Sequence, residues 1–186
     1  MRIIAGKYGR RKLEVPKGRD IRPTSDKIRG AIFNALEAQG ALKDAKILDA
    51  FCGTGALGLE ALSRGAKHCL FLDKDKNSLD LARRNADMLI GAPGSCTESA
   101  FQIGDAAKTD FKGQKFDLIF LDPPYHKGLI ELTLKHLLKQ SALSSTGRVI
   151  CESETNLPAV QGGAFDIISE KSYGDTLVRM LKLKNQ

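Results

Sequence analysis

Leu48-Asp49-Ala50-Phe51-Cys52-Gly53-Thr54-Gly55-Ala56-Leu57-Gly58 is the stretch on which the reading of this chain turns. Lys46 to Phe51 is a short apolar run with the character of a buried strand. Leu57, Leu59, Ala61 and Leu62 then carry an apolar pattern to Arg64-Gly65, where a basic residue and a glycine stop a helix. Between the two, Gly53 and Gly55 permit a tight turn and let backbone N–H groups approach a ligand closely. Gly53, Gly55 and Gly58 have the Gly-x-Gly-x-x-Gly spacing of a dinucleotide-binding turn, and Asp73 stands twenty residues after Gly53, where a ribose-binding acid belongs. The same turn also occurs in α/β proteins that bind nothing there.

Working outward, strand and helix alternate. Cys69–Leu72 is a second strand ending at Asp73, and Asn77 or Ser78 caps a helix running to Leu89. A third strand near Ala100–Ile103 ends at Asp105-Ala106, and a fourth, Phe116–Leu121, ends at Asp122-Pro123-Pro124-Tyr125. Leu129 to Leu138 is helical, and Arg148–Cys151 is a fifth strand. Phe165–Ser169 and Thr176–Leu181, about Tyr173-Gly174-Asp175, predict an antiparallel hairpin on the sheet edge. Upstream, Thr24 or Ser25 caps a helix reaching about Ala38. The expected architecture is an open, doubly wound α/β fold: a mostly parallel seven-stranded sheet with a C-terminal antiparallel hairpin, binding its ligand at the strands' carboxyl ends.

The 186 residues suit one domain, and 42% apolar with 27% charged residues suits a soluble core. No apolar run reaches the ~18 residues of a membrane span. Cys52, Cys69, Cys96 and Cys151 show no Cys-x-x-Cys spacing, so reduced thiols in a cytoplasmic protein, with no metal site, are expected. The net charge of +7 is concentrated at one end. Ten of 29 basic and three of 22 acidic residues fall within residues 1–30, leaving nineteen of each sign elsewhere. That asymmetry points to a polyanion, with nucleic acid the simplest candidate. Arg2–Ala5 and Lys12–Val15 predict a small β-hairpin whose tip offers Lys7, Arg10 and Arg11 to phosphates. Tyr8 either stacks on an unpaired base or packs beside the hairpin.

Asp49, Asp73, Asp105 and Asp122 all fall at strand carboxyl ends, which such a fold brings to one rim. The Asp122-Pro123-Pro124-Tyr125 turn is the most informative piece. Two prolines remove N–H donors and stiffen the chain, so a carboxylate and a carbonyl stand as paired acceptors without a competing donor. Such a pair suits an exocyclic amine held in the plane of a base, with Tyr125 as a stacking face worth about 1–3 kcal/mol.

At this point the sequence resembles the class I, S-adenosylmethionine-dependent methyltransferases of exocyclic amines. Arg2–Gly6, Arg22-Pro23-Thr24, Phe33-Asn34, Gly55–Arg64 and Glu152-Ser153-Glu154 narrow the resemblance to the RsmD family. The resemblance implies a Rossmann-like fold, S-adenosylmethionine as cofactor and S-adenosylhomocysteine as product, with no metal. It implies methylation of a guanine N2 amine in bacterial small-subunit (16S) rRNA, within a 30S particle or assembly intermediate, by a cytoplasmic monomer.

By the same resemblance, Asp49, Phe51, Gly53 and Gly55 hold the methionine part of the cofactor. Asp73 binds the ribose hydroxyls, with Asp75 as a competitor, and Asp105 with Ala106 lies beside the adenine amine. Asp122, Pro123, Pro124 and Tyr125 form the catalytic turn. Lys7, Tyr8, Arg10, Arg11, Arg22 and Thr24 are the candidate RNA contacts. Residues 1–23 form a basic RNA-contact extension and residues 24–186 the methyltransferase domain. The alternatives are methylation of adenine N6 or a protein glutamine amide and, more remotely, a nicotinamide-dependent dehydrogenase.

Overall fold

A computed structural model of the chain describes residues 1–16, 26–91, 98–124, 128–155 and 163–184. Among them, seven strands form one sheet: β1 (Lys46–Asp49), β2 (His68–Asp73), β3 (Glu98–Ile103), β4 (Phe116–Leu121), β5 (Leu143–Glu154), β6 (Phe165–Tyr173) and β7 (Thr176–Leu183). Their order is β3-β2-β1-β4-β5-β7-β6. The first five run parallel, and β7 enters antiparallel between β5 and β6. The helices are α1 (Asp26–Ala38), α2 (Ala56–Ser63), α3 (Lys76–Ile90) and α4 (Leu129–Lys139).

Successive strand residues point to opposite faces, so a sheet covered on both sides must be apolar on both. Ile47, Phe71, Leu118, Phe120 and Ile150 share one core with α1, α2 and α3. Leu48, Leu70, Ile119, Leu121 and Val149 share the other with α4. This is why β1, β2 and β4 are legible as unbroken apolar runs.

Two details differ from the sequence reading. Strand β5 is twelve residues long because Leu143–Gly147 joins it across a bulge, where Phe116 pairs with Leu143 and Leu118 with Arg148. Helix α3 is capped by Asp75, whose carboxylate accepts from the Asn77 N–H at 3.2 Å and the Ser78 hydroxyl at 3.0 Å. The expected amino-terminal hairpin forms about the antiparallel Arg2–Lys12 bridge: Ile3 N–H donates to the Arg11 carbonyl at 2.9 Å, Arg10 N–H to the Ile3 carbonyl at 2.8 Å and Leu13 N–H to the Met1 carbonyl at 3.1 Å. The expected caps Thr24 and Ser25 lie outside the described residues.

The self-paired amino-terminal segment also packs against α2 and α3. Ile3, Tyr8 and Leu13 enter the first core. Buried Glu60 on α2 accepts from the N–H groups of Ile4 at 2.7 Å and Ala5 at 3.1 Å, and binds Arg64 Nε at 2.7 Å. At the end of α2, the Ser63 carbonyl accepts from Lys7 N–H at 2.7 Å and its hydroxyl from Tyr8 N–H at 2.9 Å. Gly6, at φ +81°, allows the contact, since a Cβ there would fall on the Ser63 carbonyl.

Candidate active site

From β1 the chain winds outward to β2 and β3, then returns to β4 on the other side of β1. The connections leaving β1 and β4 therefore diverge, and a crevice opens at their carboxyl ends. The glycine turn follows β1 and the Asp122-Pro123-Pro124 turn follows β4. Ala50 N–H donates to the Phe120 carbonyl at 3.1 Å, so the two turns leave adjoining, mutually bonded strand ends.

Inside the glycine turn, Gly55 N–H donates to the Cys52 carbonyl at 2.6 Å. Gly53 and Gly55 both hold left-handed backbone, at φ +52° and +78°. A Cβ at Gly53 would meet nothing within 4 Å, so this residue faces open space, whereas one at Gly55 would press on Ala82 Cβ at 3.1 Å. Gly53 keeps the approach open, and Gly55 lets α3 pack close.

The carboxylates brace this turn. Asp49 is buried and its Oδ2 accepts from Gly58 N–H at 2.9 Å, in the first turn of α2. Asp73 Oδ2 accepts from Gly53 N–H at 2.9 Å, and its Oδ1 from Asp75 N–H at 2.9 Å. Each Asp73 oxygen retains a second lone-pair direction for a ligand hydroxyl. Asp75, the competing acid, is committed to capping α3. Gly104 N–H donates to the Asp73 carbonyl at 2.9 Å and brings Asp105 to the same edge, where its Oδ1 accepts from Ala107 N–H at 2.9 Å. Ala106 is buried, and Phe51 is half-buried against the second core.

Burial pushes the Asp49 carboxyl up to about 7; the Gly58 N–H opposes this, and the charge of Asp73 adds to it. Burial, reinforced by Asp49, also drives the Cys52 and Cys69 thiols far above their usual range, so both stay protonated and act as packing. At the β4 end Asp122 is half-buried, Pro123 buried and Pro124 exposed. Tyr125 and His126 lie outside the described residues, as do Arg22 and Thr24.

Of the candidate RNA contacts, Lys7, Arg10 and Arg11 are not brought to this crevice. Arg11 Nη1 donates to the Leu89 carbonyl at 2.9 Å, at the end of α3, and the tip rests on Ser63, at the end of α2. Both helix ends lie at the edge opposite the crevice. Lys7, Arg10 and Arg11 are exposed there. The stacking role considered for Tyr8 does not hold. Its ring is 4% exposed, within the first core, and Lys7 Nζ and the Arg11 guanidinium lie 5.2 and 5.6 Å from its centroid. The backbone bonds of the tip to Ser63 turn this ring inward.

Two buried polar residues outside the sequence-predicted set hold the amino-terminal segment: Glu60, described above, and Asn85, which is fully buried in α3 and also reaches the glycine turn. Asn85 Oδ1 accepts from Glu14 N–H at 2.7 Å, and its Nδ2 donates to the carbonyls of Glu14 at 3.1 Å and Thr54 at 2.9 Å. The available signal was phase. Asn85 shares the helical spacing of Leu81, Ala82 and Leu89, where a polar residue is anomalous.

The family model described as Conserved hypothetical protein 95 matches residues 1–182. The chain belongs to that family, the RsmD family of the sequence resemblance. Among its relatives, ribosomal RNA small subunit methyltransferase D of Haemophilus influenzae is 32% identical, over 97% of this chain and 92% of that protein. The putative rRNA methyltransferase YlbH of Bacillus subtilis is 33% identical, over 98% of each. Among solved structures, the putative methyltransferase yhhF from Escherichia coli superposes with a TM-score of 0.83 at 32% identity, covering 100% of this chain and 99% of that one. The fold is that of the class I methyltransferases, and the RsmD-family chain is a methyltransferase. The dehydrogenase alternative loses its footing here: antiparallel β7 occupies the sheet position that a sixth parallel strand takes in dinucleotide-binding folds.

Proposed function

We propose that this enzyme transfers a methyl group from S-adenosylmethionine to the exocyclic N2 amine of a guanine in 16S rRNA. The observation that carries the reading is the adjoining of the glycine turn and the Asp122-Pro123-Pro124 turn at the switch point, bonded through Ala50 and Phe120. Full-length likeness to a protein named as a small-subunit rRNA methyltransferase supports the substrate class.

The residues present fit the cofactor. Gly53 leaves open space at the turn, and acids surround it: Asp49, Asp73, Asp105 and Asp122. A ligand bearing a sulfonium, an ammonium, a ribose diol and an adenine amine offers cations and donors throughout, and this rim offers acceptors. Asp49, Phe51, Gly53 and Gly55 hold the methionine part, Asp73 the ribose, and Asp105 with Ala106 the adenine edge. S-adenosylmethionine, when bound, supplies an electrophilic methyl on sulfur.

The guanine amine is a weak nucleophile because its lone pair is delocalised into the ring. The Asp122 carboxylate and the Pro123 carbonyl accept its two N–H groups, localise the lone pair and aim it at the methyl. Tyr125 stacks on the base, and Pro124 keeps the turn rigid. Catalysis then comes from positioning and electrostatics. The base must leave its stack to enter, which favours a loop or an opened helix as target. Residues 1–23 serve as the RNA-contact extension, through Lys7, Arg10, Arg11, Arg22 and Thr24, and residues 24–186 as the catalytic domain. The enzyme acts as a cytoplasmic monomer on RNA held in a 30S particle or assembly intermediate.

The test is methyl transfer from labelled S-adenosylmethionine to 30S particles lacking native methylation, with nucleoside analysis, for wild type and Asp122→Ala. Label in 2-methylguanosine with wild type, reduced at least about a hundredfold in the variant, is expected. Label in methyladenosine moves the reading to an adenine enzyme. Transfer to neither base overturns the substrate assignment.

A further inference from the structure

We infer that Asn85 is a positioning residue that links occupancy of the cofactor crevice to the placement of the amino-terminal segment. The link rests on reading the glycine turn as the cofactor site.

A fully buried amide is costly unless its polar atoms are bonded. Asn85 spends all three of its bonds on the backbone of two segments remote from it in sequence. It holds Glu14 at both its N–H and its carbonyl, and Thr54 at its carbonyl. Thr54 lies between the two left-handed glycines, so any adjustment of the turn around a ligand displaces its carbonyl. Apolar contacts can slide, but directional bonds move together. A second tie joins the same residue to the start of the chain, since the Thr54 hydroxyl donates to Met1 Sδ at 3.4 Å. The far turn is held separately, by Glu60 and Ser63. The stretch tied to the glycine turn is therefore residues 12–16, where Leu13 N–H donates to the Met1 carbonyl at 3.1 Å and Glu14 pairs with Arg84 at 3.2 Å, and it leads along α3 back to the crevice edge. There Val15 and Pro16 line a cavity of about 380 Å³ with Asp75 and Asn77. A ligand that settles the glycine turn thus settles the strand of chain that enters the proposed RNA-contact residues.

Hydrogen exchange of the full chain, with and without S-adenosylhomocysteine, tests the link. In wild type the ligand slows exchange in the glycine turn and, by at least about fivefold, in residues 12–16, the lower end of typical coupling factors. In Asn85→Ala the slowing of the glycine turn persists and that of residues 12–16 disappears. Asn85→Ser, too short to span the gap, gives the same result and serves if the alanine variant does not fold. Leu137→Ala, a destabilised control in the opposite core, keeps both effects. Slowing of residues 12–16 that survives in Asn85→Ala, that is absent from wild type, or that is lost equally in Leu137→Ala overturns the proposal. No slowing anywhere in wild type overturns the cofactor reading itself, and the link falls with it. RNA affinity with and without the ligand is measured alongside. An intact link with no RNA binding removes the RNA assignment and leaves the role of Asn85 standing.

Discussion

Asp49 shows how one buried carboxyl carries both a structural and a binding consequence. Its Oδ2 fixes the first turn of α2 through Gly58, yet burial beside Asp73 raises its pKa to about 7. A group whose folded value lies above its unfolded value, about 3.9, favours folding most when protonated. The stability that Asp49 contributes is therefore complete below about pH 4 and lost as pH rises towards 7, a swing of a few kcal/mol. Urea unfolding of the ligand-free protein should show this slope, and Asp49→Asn, which keeps an acceptor for Gly58, should flatten it. A cationic ligand favours the carboxylate, so binding near pH 7 should release a proton. Titration calorimetry in buffers of different ionisation enthalpy reads that release directly. Its persistence in Asp49→Asn would assign the proton to another group.

At the scale of elements, α2 shows what close approach demands. Gly58 lies in its first turn, and a Cβ there would strike the Phe71 ring and come within 2.6 Å of Cys69 Sγ. Gly58→Ala should cost about 1–3 kcal/mol, the range of overpacking, and a melting temperature unchanged from wild type would refute that. Much of this layer was legible in the sequence, because β1, β2 and β4 are apolar on both faces and each ends at an acid. The length of β5 was not. Ser144 to Gly147 is polar and partly exposed, and only the bulge opposite β4 recruits it. Nor was the docking of the amino-terminal hairpin legible. Alternation marks the hairpin, which forms, but Glu60 and Ser63 on α2 fix where it docks, and a single glutamate between Leu59 and Ala61 carries no sequence mark of that role. Gly6→Ala should release the turn from Ser63 and weaken RNA binding while leaving S-adenosylhomocysteine affinity within about twofold. Equal loss of both affinities would show that the turn supports the whole domain instead.

For the whole molecule, the charge asymmetry of the sequence becomes an asymmetry of place. The exposed cations Lys7, Arg10 and Arg11 lie by Ser63 and Leu89, while the crevice lies at the opposite ends of α2 and α3. From Ser78 to Leu89 the helix spans about 17 Å at its usual rise of 1.5 Å per residue. No single nucleotide reaches from a base in the crevice to the tip. If these cations meet phosphates, they meet a separate part of the RNA, so their value depends on how far the substrate extends. Lys7→Ala with Arg10→Ala should therefore raise KM for 30S particles and lower the salt dependence of binding by about one unit of slope per lost contact. The same double variant should leave kcat unchanged, and leave KM unchanged for a short stem-loop that carries little beyond the target base. Equal impairment on the short and the long substrate would mean that the tip acts through the fold and not through the RNA. An unchanged KM and salt slope on both would mean that the positive end of the chain faces something other than the substrate. The first outcome would make the segment one more support for the glycine turn, reached through α2. Only the expected split makes it a ruler that measures RNA beyond the target base.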